Sequence, residues 1–71
     1  MLFDNVTDEE LKQIYIEQIG SEELGTLNQS LIPYAKRVIK EWNISVTMSE
    51  ALNIAKRLFF DEVAKRYFKT R

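Results

Sequence analysis

The sequence predicts a small all-α fold: a three-helix domain spanning residues 1–71, with a long C-terminal helix as its spine. Three observations carry this expectation. Thr7 with Glu10 and Thr47 with Glu50 are capping boxes, in which threonine and glutamate satisfy each other's free backbone N–H groups at a helix start. Apolar residues recur at three- and four-residue spacing after each box. The two glycines and one proline fall near the expected helix ends.

The first helix is expected over residues 7–19. Val6 and Leu11 are spaced as a hydrophobic staple, and Asp8, Glu9 and Glu10 occupy the first turn, where the helix dipole favours negative charge. Leu11, Ile14, Tyr15 and Ile19 share a face, Ile16 lies off it, and Gly20 suits a left-handed C-cap. Residues 20–30 are ambiguous. An extra short helical turn around residues 21–26 fits Ser21 as cap and Gly25 as terminator. The second helix is expected over residues 31–42, capped by Ser30 with Pro33 at its third position, where proline is tolerated. Leu31, Ala35, Val38, Ile39 and Trp42 form its apolar side, and Asn43 ends it. Ile44-Ser45-Val46 reads as a connector. The third helix is expected over residues 48–68, with acid-first pairs at i,i+4 in Asp61/Lys65 and Glu62/Arg66.

Charge is divided along the chain. Residues 1–30 carry seven acids and one base, and residues 31–71 carry nine bases and four acids, so −6 precedes +5 in a chain of net charge −1. Such polarity implies that the halves pack together or that each faces a different partner. Without cysteine or histidine there is no disulfide, no thiolate site and no histidine base or ligand. No cofactor is expected. The adjacent carboxylates Glu9/Glu10, Glu22/Glu23 and Asp61/Glu62 diverge by about 100° on a helix, which is the wrong geometry for a catalytic pair. The chain is therefore read as non-enzymatic. No basic and apolar leader and no membrane-length apolar run is visible, so a cytoplasmic protein with no membrane partner is expected.

Three constellations point toward binding. Met48, Ala51, Leu52, Ala55, Leu58, Phe59 and Val63 make a core stripe on the third helix, with Phe60 opposite Leu58, Phe59 and Val63. Phe60, Ala64, Tyr67 and Phe68, flanked by Arg57 and Arg71, then make a second strip suited to a protein interface. The ordinary reading is that residues 20–30 or Leu2-Phe3 cover that strip. The bases Lys36, Arg37, Lys40, Lys56, Lys65, Arg66 and Lys69 could contact nucleic acid if they converge, although most sit where solvated helix residues do. Residues 38–49 resemble the corner of a helix-turn-helix, with Asn43 in place of the turn glycine, Ile44 as the buried turn residue and Thr47-Met48-Ser49 opening the second helix. The spacing from Ile44 to Met48 is one residue short of that pattern, and the following helix is long and mostly apolar.

The reading that combines these features is a small cytoplasmic regulator or adaptor that binds protein, as a homodimer. Its core is expected to use Leu11, Ile14, Ile19, Val38, Ile39 and Trp42. The alternative is a DNA-binding regulator using the basic second half.

Overall fold

Both capping boxes form, and they fix where the two long helices begin. In the computed structural model, which describes residues 2–68, the Thr7 hydroxyl accepts from the Glu10 N–H at 3.1 Å. The Glu10 carboxylate accepts in return from the Thr7 N–H at 3.0 Å. Thr47 and Glu50 repeat the arrangement at 3.1 and 2.9 Å. Helix α1 spans Asp8–Leu24, α2 spans Ile32–Trp42 and α3 spans Met48–Tyr67. The fold is all-α, with no strand among the described residues; Ile44–Val46 is a connector.

Helix α1 runs past its expected end. Gly20 lies inside it, and residues 21–24 form its last turn instead of a separate one. A mid-helix glycine costs only about 1 kcal/mol relative to alanine, too little to stop a helix with no other breaker. Gly25 ends it, at φ 69°, in the left-handed region that favours glycine. The Gly25 N–H donates to the Glu22 carbonyl and the Thr26 N–H to that of Ser21, the paired bonds of a Schellman cap.

The start of α2 also differs from expectation. Ser30 does not cap it: Leu31 stands at its N-cap without a side-chain bond, and the preceding 3₁₀ turn over Gln29–Leu31 is capped by Asn28, whose side-chain oxygen accepts from the Ser30 N–H at 2.9 Å. The Ser30 hydroxyl instead donates to Glu17. Pro33 occupies the second position of α2, where its missing N–H is one that the helix would not use. Asn43 ends α2 in the left-handed region at φ 53°.

Helix α2 lies close against α3. Ala35 on α2 and Ala51 and Ala55 on α3 are fully buried, and small side chains shorten the distance between packed helices. Helix α1 runs antiparallel to α3: Asp8 meets Arg66, Tyr15 meets Phe59 and Phe60, and Glu22 meets Lys56. The segment before α1 folds inward, burying Leu2, Phe3 and Val6. The Phe3 ring lies 4.5 Å from that of Tyr34 and 5.7 Å, edge-on, from that of Phe59.

Three expected core residues are not in the core. Trp42 is 47% exposed, because Phe3 supplies the central ring and Trp42 stands at the end of α2 beside Ile54, Arg57 and Leu58. Ile19 is 42% exposed, because the inward row of α1 is Leu11, Ile14 and Gln18. Met48, in the first turn of α3, is 38% exposed. Leu2-Phe3 packs on the main stripe of α3 through Phe59 and does not cover the second strip.

Denaturant titration of three variants checks this packing. Phe59→Ala should cost roughly 3–5 kcal/mol, as full removal of a buried ring does. Trp42→Ala should cost roughly 1–2 kcal/mol, because half of the side chain already meets water. The lone tryptophan should emit as a solvent-accessible indole and be quenched by iodide in the folded protein. A Cβ on Gly20 would meet nothing within 4 Å, so Gly20→Ala should raise stability by about 1 kcal/mol.

Candidate functional site

The acidic and basic halves meet across the α1–α3 contact. At one end, Arg66 donates through Nη1 to Asp8 at 2.9 Å, through Nε to Glu62 at 2.7 Å and through Nη2 to the Phe3 carbonyl at 3.1 Å. One guanidinium therefore binds α1, α3 and the N-terminal turn together. The Tyr67 hydroxyl adds a long bond to the Asp8 carbonyl at 3.4 Å. The hydrogen bond to Glu62, then that to Asp8, hold the Arg66 proton more firmly than usual, against the opposing effect of partial burial.

At the other end, Lys56 pairs with Glu22 at 3.3 Å. The Gln18 amide donates to Glu22 at 3.0 Å, and Asn28 donates to Gln18 at 3.1 Å. Gln18 and Asn28 are both buried, so this relay ties the 3₁₀ turn to α1 and then to α3. The Gln18 hydrogen bond, and after it Lys56, hold the Glu22 carboxyl below the usual carboxylate range.

Beside this contact lies an exposed apolar face. From α3 and the residue that ends it come Phe60 at 36%, Tyr67 at 50% and Phe68 at 65% exposure, with Ala64 also exposed. Arg57 flanks them and is exposed; Arg71 and Lys69 lie outside the described residues. Phe60 is not wholly opposite the core, for its ring meets Phe59 at 5.3 Å and Tyr15 at 6.3 Å, both edge-on. It sits where the core reaches the surface. Helix α1 extends the face through Ile16 and Ile19, at 54% and 42% exposure. Helical spacing by itself confines the face to α3. The signal for a second contributor is Ile16, which stands off the core stripe of its own helix. A groove of about 400 Å³ opens along the same seam, lined by Leu11, Lys12, Tyr15, Val63, Tyr67 and Phe68.

The remaining basic residues are divided. Lys56 and Arg66 hold α1, and Arg37 pairs with Glu41 at 3.2 Å. Lys36, Lys40, Arg57 and Lys65 make no ion pair among the described residues. They are spread over α2 and α3. At the α2–α3 corner Ile44 is half-buried, as in the resembled motif, but the first turn of α3 carries Glu50 and uses Thr47 as its cap. A carboxylate there opposes a phosphate backbone.

Among the described residues no group of three or more acidic side chains is placed to hold a metal ion. None of their helices is long and apolar enough to cross a membrane. No protein-family model, curated protein or solved structure matches this chain.

The Glu22 contacts make stability depend on pH in a definite direction. A carboxyl held below its ordinary range stabilises the fold above that range and loses the effect as pH falls through the lowered folded value. Acid titration of melting temperature should therefore show a loss below the ordinary carboxylate range, and Glu22→Gln should flatten part of it. Salt at 1 M, which shortens the screening length to about 3 Å, should lower the melting temperature modestly in the wild type and less in Lys56→Gln.

Proposed function

We propose that this protein is a small non-catalytic regulator or adaptor that acts by binding a protein chain through the α1–α3 apolar face. One observation carries the reading: Ile16, Ile19, Phe60, Tyr67 and Phe68 are all exposed on two adjacent helices. Exposed apolar side chains gathered on one face favour association, because covering them releases water from apolar surface. Aromatic side chains supply most of such binding energy, and Arg57 stands at the edge, where charge guides encounter. The use of Lys56 and Arg66 in holding α1 favours this reading over one built on phosphate contacts.

Ala64→Glu tests it. The position is exposed and helical, so the change should alter stability by less than about 0.5 kcal/mol. It sets a charge in the middle of the face and should weaken binding by more than about 1–2 kcal/mol. The measurement pairs thermal melting with sedimentation and with capture from the native host, wild type against variant. Phe59→Ala serves as the control that loses fold. Binding that persists in Ala64→Glu sinks the proposal. If that binding also falls steeply on a log–log plot against salt, the DNA-binding alternative takes its place.

A further inference from the structure

The outward side of α1 carries Lys12, Ile16, Ile19 and Glu23, all exposed. Their spacing is four, three and four residues, the spacing of a seam between paired helices. The two isoleucines are central, and opposite charges stand at the two ends, about 16 Å apart at 1.5 Å per residue. Neither Lys12 nor Glu23 makes an ion pair or side-chain hydrogen bond among the described residues.

Resting on the protein-binding reading above, we infer that the occupant of this face is a second copy of the chain, docked with the two α1 helices antiparallel about a two-fold axis between residues 17 and 18. That axis sets Lys12 of each copy against Glu23 of the other, and Ile16 against Ile19. A parallel pair would set lysine on lysine and glutamate on glutamate, so the charge order selects the antiparallel arrangement. A seam with opposite charges at its ends is complementary to its own reversed copy.

Gly20 is an independent observation. It lies inside α1, partly exposed, and a Cβ there would meet nothing within 4 Å. The chain's own packing gives no use for a glycine at that point. Its bare backbone flanks the seam and admits close approach by another chain.

The test is sedimentation equilibrium from micromolar to millimolar protein on wild type, Lys12→Glu, Glu23→Lys and the double reversal. Far-UV spectra and melting at low concentration establish that each variant is folded. By symmetry a single reversal spoils two contacts, so each should weaken the dimer about tenfold. The double reversal restores both contacts and should return the dimer to wild-type strength. A wild type that stays monomeric overturns the inference. So does a dimer that is insensitive to the single reversals, or a double reversal as weak as either single. These failures are separate from failure of the protein-binding reading. A monomeric wild type whose capture of another protein is lost in Ala64→Glu keeps that reading and replaces the second copy with a foreign partner.

Discussion

Phe59 is the contact on which the rest of the structure depends. It is fully buried, and its ring meets Phe3 from the N-terminal turn, Tyr15 from α1 and Phe60 from the next position of α3. Phe3 continues the chain of rings to Tyr34 on α2. Four separate parts of a short chain thus meet through one aromatic layer. A domain of this size buries a small share of its surface, so each large buried group carries an unusual fraction of stability. The alanines of the α2–α3 contact bring two helices close, and the aromatic layer fills the wider space under α1. Ala51, Ala55, Phe59 and Val63 follow one another at four-residue spacing along one buried row of α3, small at its start and large farther on.

The charge division has a structural use. Two long-range pairs within the chain, Asp8–Arg66 and Glu22–Lys56, sit at opposite ends of the antiparallel α1–α3 contact. Exposed pairs contribute only about 0–1 kcal/mol each, and a reversed α1 would still set acids beside both cations, so its direction is selected by the other contacts these groups make. A reversed α1 would set its acidic first turn beside Lys56 and remove Arg66 from the Phe3 carbonyl, loosening the N-terminal turn that supplies the central ring. The buried Gln18–Asn28 bond works in the same direction. It is satisfied only when the 3₁₀ turn sits against that one side of α1, and a buried amide without its partner costs about 1–3 kcal/mol.

Much of this fold is legible in the sequence because its signals are local. Capping boxes act within four residues, and Thr7, Glu10, Thr47 and Glu50 start their helices where expected. Helical spacing likewise identifies Ala51, Ala55, Phe59 and Val63 as core. The departures have tertiary causes. Gly20 has the composition of a terminator, but a glycine stops a helix only where the next residues stabilise a left-handed turn, and Gly25 is the position that meets this condition. Trp42 resembles a core anchor because it is large and in phase with Val38; nothing local reveals that Phe3, far away in sequence, fills the centre. Ile19 loses its inward position to Gln18, a polar residue that becomes a core residue only when Asn28 arrives to bond it. The apolar strip on α3 is legible through its phase. Its extension over α1 is not, because that depends on which side of α1 faces α3.

The aromatic core and the outward face are therefore parts of one feature. Phe60 contacts Phe59 and Tyr15 and still reaches solvent, so the ring layer does not end at the domain's boundary but emerges through it. A larger domain would cover that edge with a fourth helix. Here the apolar side chains beside it, Ile16 and Ile19, lie on the helix that is fixed by charge pairs and rings rather than by close backbone packing. Such a helix presents a firm surface without committing all its apolar residues to its own core. The same pairs occupy Lys56 and Arg66, which reduces the cations free to meet phosphate while leaving the aromatic edge uncovered. Folding thus pairs Lys56 and Arg66 with acids of the other half and leaves this apolar edge exposed.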